Sequence, residues 1–183
     1  AYTGVRLYGS SDEVLIWGAM LEQNSYATSY IPSEGSQTTR NQETCINATP
    51  EINSEEGVLY AEISALTNEL TSRTISINSG SSNRVFVQFR ASGTQVLSGV
   101  VVGGSVQGST MPFSISQTSN IKLAIKYKLN DFAFWVNGVE VGTSTGNVFP
   151  SGTLNDLSFD SGNGAENFFG NTKDVQVYTK ALS

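Results

Sequence analysis

IKLAIKYKLNDFAFWVNGVEVGTS occupies residues 121–144. In its first part Leu123, Ile125 and Tyr127 alternate with Lys122, Ala124, Lys126 and Lys128. In its second part Phe132, Phe134 and Val136 alternate with Ala133, Trp135 and Asn137. A period of two is the mark of a half-buried strand. Between the later strands stands Asn137-Gly138. That dipeptide suits a two-residue hairpin turn, because the turn needs positive φ at both central positions. Downstream, LNDLSFDSGNG (154–164) and FFGNTKDVQVYTKALS (168–183) each carry a strand-like run beside a loop. The C-terminal third therefore reads as strand, Asn-Gly turn, strand, loop, strand, loop, strand.

Working outward, the same pattern continues upstream at sandwich-like spacing. GVLYAEISAL (57–66), RTISINSG (73–80) and NRVFVQFRASG (83–93) read as three strands. TQVLSGVVVGGSVQG (94–108) reads as one or two more, and FSISQ (113–117) as another. No apolar period of 3.6 exceeds a turn or two, although FFGNT (168–172) suits a short helical turn. The fold class is all-β: a two-sheet antiparallel β-sandwich, or jelly roll, with an N-terminal arm. Each sheet is expected to turn one face to the core and the other to water.

Residues 1–52 differ from the rest. VRLYG (5–9) and EVLIWGAMLE (13–22) alternate like strands. QNSYATSYIPSEGSQTTRNQETC (23–45) is polar and broken by Pro32 and Gly35. The expected division is a strand and extended arm over 1–52, left from or linking to a preceding domain, and a sandwich over 53–183.

The order of a VNG hairpin, an LSFD strand and the closing FFGNTKDVQVYTKALS resembles the laminin-G-like branch of the concanavalin A-like lectin/glucanase superfamily. The resemblance spans residues 55 to 183. The stretch VLIWGAMLEQNSYATSYIPSEGSQTTR (14–40) resembles a junction in phage tail proteins and bacterial secreted proteins. There a tryptophan-bearing strand closes one sandwich and an arm leads into a laminin-G-like domain. The resemblance implies a sugar-binding or adhesive module of a secreted or virion protein, with glycan cleavage as the rarer activity of the superfamily.

Composition narrows the function classes. The chain has 183 residues and a net charge of -6. That length buries a sizeable core without staples. The acidity argues against nucleic acid, whose binding rests on basic patches that neutralise phosphates. It also fits poorly with a charge-driven grip on anionic polysaccharides. No apolar run approaches the length of a membrane span. Cys45 is the single cysteine, so no internal disulfide forms, and a small buried side chain is its expected role. Asn47-Ala48-Thr49 matches a glycosylation sequon, but Pro50 follows it. Ala1 opens the text in mid-pattern, as expected of a piece of a longer chain.

Candidate binding residues come from the polar side of each strand. Asn78, Arg84, Phe86, Gln88, Arg90, Lys126 and Trp135 all oppose apolar positions or flank them. Aromatic rings cover the C–H face of a pyranose, and amides and guanidinium groups take its hydroxyls in fixed geometry. A solvated outer face with an incidental tryptophan is the plainer alternative. Asp160, Asn163 and Glu166 share a Gly-rich loop, and oxygen-rich loops of this kind can hold calcium. Calcium near such loops is also what the resemblance implies.

Catalysis has little to stand on. The chain has no histidine, which removes Ser-His-Asp triads and histidine-ligated zinc. Glu62 and Glu69 are the nearest text to the glucanase branch's Glu-x-Asp-x-x-Glu, but the central Asp is missing and the spacing differs. The C-terminal VQVYTKALS does not match the alginate-lyase pattern Tyr-x-Lys-x-Gly-x-Tyr. The expectation is a non-catalytic module that holds a larger secreted or virion protein on a polysaccharide or cell-surface glycan. The alternatives are a structural, oligomerising fibre tip, trimeric and tightened by GVVVGG (99–104), and a glycan-cleaving enzyme.

Overall fold

The computed structural model describes residues 30–32, 36, 50–68 and 70–181. The alternating segment at 4–22, Cys45 and the sequon lie outside the described residues. The chain separates into two compact units, Ala1–Glu43 and Thr44–Ser183. The division falls N-terminal to the 52/53 boundary expected from composition.

The described residues of the second unit form ten strands: β1 (Glu56–Ser64), β2 (Arg73–Asn78), β3 (Arg84–Phe89), β4 (Gln95–Val102), β5 (Ser105–Ser114), β6 (Ile121–Lys128), β7 (Phe132–Val136), β8 (Val139–Ser144), β9 (Asp156–Ser158) and β10 (Asn171–Tyr178). They form two antiparallel five-stranded sheets. Sheet A runs β10-β1-β6-β7-β8 and sheet B runs β5-β4-β3-β2-β9. The described residues contain no helix, so FFGNT is extended and bent where a helical turn was expected. FSISQ is likewise not a strand of its own, because its first two residues end β5.

Turn chemistry sets the hairpins. Asn137 and Gly138 take φ of 52° and 82°, the left-handed pair that a two-residue hairpin needs. Gly103 and Gly104 do the same between β4 and β5, with φ of 57° and 82°. The GVVVGG stretch is therefore the end of one strand and its turn, with Val100 and Val101 buried in sheet B.

Alternation fills the space between the sheets. Leu59, Ala61, Leu123, Ile125, Phe132 and Phe134 come from sheet A, and Ile75, Ile77, Val85, Val87, Phe89 and Val96 meet them from sheet B. Tyr127 is fully buried, and its hydroxyl donates to the Asn53 carbonyl at 2.6 Å. Burial, and the nearby Glu56 charge, push that phenol well above its ordinary pKa. Arg73 shares the parity of Ile75 and Ile77 and points inward at the start of β2. It is fully buried, with its guanidinium 5.5 Å from the Phe89 ring centroid and 5.0 Å from that of Phe169. One amino group donates to Gln117 Oε1 at 3.0 Å. Gln117 Nε2 in turn donates to the Gln95 carbonyl at 2.7 Å and the Arg90 carbonyl at 2.9 Å. This bracket joins the start of β2, the β3–β4 turn and the loop after β5.

Candidate functional site

The outward faces of the two sheets are built differently. On sheet A, β6 turns Lys122, Ala124, Lys126 and Lys128 outward, since the intervening residues fill the core. Strand pairing lines up one row across the sheet. Glu140 on β8 pairs with Trp135 on β7, Trp135 with Ala124 on β6, Ala124 with Tyr60 on β1, and Tyr60 with Gln176 on β10. A bulge between Phe134 and Trp135 brings Glu140 opposite the tryptophan. Val58, Tyr60, Ala124, Trp135, Lys122 and Lys126 line a mostly apolar groove of about 420 Å³ in the middle of this face, with Gly138 and Glu140 at one end.

The groove's charges are held by neighbours. Lys126 Nζ lies 2.7 Å from Asp131 and 6.0 Å from the Trp135 ring centroid. Lys128 pairs with Glu56 at 3.4 Å. Glu62, largely buried on β1, receives Lys173 Nζ at 2.7 Å and Asn120 Nδ2 at 2.5 Å. Those two hydrogen bonds hold its carboxyl below the ordinary range, against the opposing effect of burial. Lys173 is raised correspondingly, first by its bond to Glu62. Burial, then the Glu62 charge, raise the Tyr60 phenol. Glu62 is thus a fixed carboxylate, an acceptor for hydroxyls. It is badly tuned as a general acid, which needs a raised pKa.

On sheet B, the expected open polar face is closed. Asn78, Phe86 and Gln88 are each less than 9% exposed. The chain from β9 to β10 lies across them. Ser76 Oγ donates to the Asp160 carbonyl at 2.8 Å, and Arg84 Nη1 to the Ser161 carbonyl at 2.9 Å. The Thr74 amide donates to the Glu166 carbonyl at 2.8 Å. Asn78 Nδ2 donates to the hydroxyls of Ser76 and Ser158. Arg84 also stacks on Phe86, 5.0 Å from its centroid. These side chains fasten a loop, because buried polar groups need partners and the loop supplies them. Arg90 stands apart and exposed, at the β3–β4 turn beside Gln95. Of the expected binding residues, then, Trp135 and Lys126 meet on sheet A. Asn78, Arg84, Phe86 and Gln88 lie under the sheet B loop, and Arg90 joins neither group.

The three oxygen-bearing side chains of that loop each have hydrogen-bond partners of their own. Asp160 accepts from the Gly162 amide, and Asn163 Oδ1 from the Ser161 hydroxyl at 2.8 Å and the Ala165 amide at 3.1 Å. Glu166 Oε2 accepts from Gln88 Nε2 at 2.9 Å and Thr74 Oγ1 at 3.1 Å. Each of these oxygens closes a local turn or anchors the loop to sheet B. Among the described residues no three acidic, histidine or cysteine side chains gather at a metal-sized point. Likewise, no helix among them is long and apolar enough to cross a membrane.

Tyr60, Val58 and Glu140 were not among the residues expected from sequence. Tyr60 does alternate outward in GVLYAEIS, but its place beside Ala124 depends on β1 pairing with β6.

No family model matches the chain, and no curated protein sequence matches it. Its likeness is to solved structures. One is the CBM40 module of a Ruminococcus gnavus IT-sialidase bound to alpha2,3 sialyllactose, with TM-score 0.56 and 16% identity, covering 70% of this chain and 78% of that one. A leech intramolecular trans-sialidase gives 0.54 at 14% identity, over 71% of this chain and 22% of that one. A heptameric SAP-like pentraxin from Limulus polyphemus gives 0.53 at 16% identity, over 72% and 67%. At such identities what is shared is the fold, a β-sandwich of two antiparallel sheets.

Proposed function

We propose that residues 44–183 form a non-catalytic glycan-binding module whose ligand lies in the groove of sheet A. The observation that carries this reading is the row Trp135–Ala124–Tyr60, in which two aromatic side chains flank a small one on an otherwise charged face. A pyranose laid over Ala124 meets aromatic surface at either end, while Lys122 and Glu140 offer a donor and an acceptor to its hydroxyls. The carbohydrate-binding module among the similar folds supports the same reading. In a larger secreted or virion protein such a module holds its parent on a polysaccharide or a cell surface.

The test is a glycan and polysaccharide panel probed with the purified chain, with a reducing-end assay on each hit. Binding without cleavage, weakened about tenfold in Trp135→Ala, is the expected result. Silence across the panel together with a trimer by light scattering would instead favour a structural tip. Shortening of a polysaccharide, abolished by Glu62→Gln, would make the chain an enzyme.

A further inference from the structure

The groove's row has a direction, a spacing and a charge balance, and together they narrow the ligand class. Resting on the reading above, we propose that the groove takes the interior of an uncharged linear glycan, laid across the strands over about four sugar units.

The direction follows from register. Glu140, Trp135, Ala124, Tyr60 and Gln176 are cross-strand partners in one line perpendicular to the strands. Cross-strand partners point to the same face, so the line is continuous from β8 to β10. The spacing follows from sheet geometry. Trp135 and Tyr60 are separated by β6 alone, hence roughly 10 Å apart, because neighbouring strands lie about 4.8 Å apart. That matches a sugar and its second neighbour along an extended chain, with the intervening unit over Ala124. The polar ends, Glu140 and Gln176, extend the row by one strand on each side, a run of roughly 19 Å by the same spacing.

Both ends of the row are at strands on the sheet's edges, β8 and β10. A ligand running along it does not meet a sheet wall at either end. That geometry suits a chain passing through, whereas recognition of a terminal sugar requires a closed end.

The charge balance disfavours a polyanion. Lys126, Lys128 and Lys173 are already paired with Asp131, Glu56 and Glu62. Lys122 and Glu140, one charge of each sign, also line the groove. A carboxylated or sulfated chain would have to compete with the carboxylates beside those lysines and would meet Glu140 as well, for the small gain that solvent-exposed ion pairs give.

The experiment is calorimetric titration of the whole chain with neutral β-1,4-linked glucan, mannan and xylan oligosaccharides of two to six units. 3′-Sialyllactose and polygalacturonate serve as charged comparators, each at low and high salt. The expected result is affinity for a neutral series that climbs to about four units and then levels, with little salt dependence. Trp135→Ala and Tyr60→Ala should each weaken it about tenfold, the scale of one lost aromatic contact. Ala124→Arg should abolish it with the melting transition intact, and if that variant melts early the two aromatic variants decide the matter. Salt-sensitive binding of sialyllactose or polygalacturonate that Ala124→Arg removes would overturn the neutral-chain proposal and leave the glycan-binding groove standing. So would saturation by a disaccharide. Binding that survives all three variants, or no binding by any sugar, would overturn the groove itself.

Discussion

Both outer faces of this sandwich carry polar side chains, and they put them to opposite ends. Sheet B carries Thr74, Ser76, Asn78, Arg84 and Gln88 outward, a set as suited to sugars as any in the chain, and the β9–β10 loop covers it. Sheet A carries lysines, carboxylates, a tyrosine and a tryptophan, and between them a groove is left. The difference lies in what satisfies the polar groups. On sheet B backbone carbonyls and loop side chains do so, which makes the polar ladder a clasp. On sheet A the charges pair mainly with one another at the margins of the groove, and its floor is small and apolar. A polar strand face is a binding face only when the protein has not already bound it.

That contrast can be broken at several points. The largest effect is expected at Arg73, whose buried guanidinium sits between Phe89 and Phe169 at the sheet B end of the core. Arg73→Ala should cost at least about 3 kcal/mol in urea unfolding, since it opens a cavity and strips Gln117 of a partner. A cost below about 1 kcal/mol would mean the bracket is incidental. Next comes Glu166→Ala, which severs the bonds from Thr74 and Gln88. It should destabilise by about 1–2 kcal/mol and leave glycan affinity unchanged. If it creates or alters sugar binding, sheet B is a latent site and the clasp view fails. Trp135→Ala should show the mirror image: a tenfold loss of affinity with a stability change under about 1 kcal/mol. A large drop in melting temperature would instead class Trp135 as packing.

The smallest effect concerns pH. Lys173 and Asn120 hold Glu62 below its ordinary pKa in the folded state. The stabilisation they give is therefore present above the unfolded carboxylate pKa and is lost as pH falls through the lowered folded value. Urea midpoints followed from neutral to acid pH should fall less steeply in Glu62→Gln than in the parent. Parallel acid limbs would show that solvent screens the Glu62 pair to insignificance.

Much of this architecture is legible in the residues. The Asn137-Gly138 turn, the inward set Phe132, Phe134, Val136 and the outward Trp135 and Lys126 stand where alternation puts them. Alternation assigns a side to each residue, however, and says nothing of what lies over that side. Phe86 and Gln88 alternate as cleanly as Trp135, yet they end beneath the loop. The oxygens of Asp160, Asn163 and Glu166 close turns and anchor the loop, roles that draw on the same chemistry as metal binding and that alternation does not foretell. Tyr60 was hidden for another reason: its partners in the row lie more than 60 residues away along the chain. Arg73 did leave a sign, an arginine in phase with two buried isoleucines.

Strand β1 lies between β6 and β10, with Leu59 opposite Val177 and Ile125. A ribosome delivers the first of these strands long before the last. Until β10 emerges, β1 has one bare edge, and sheet B gains its clasp only with the β9–β10 loop just before it. Closing so long a loop is slow, and an unpaired edge invites pairing with a neighbouring nascent chain. Yield in a cell thus depends on β10, and a truncation just before Asn171 should aggregate although nearly every residue of this core is present.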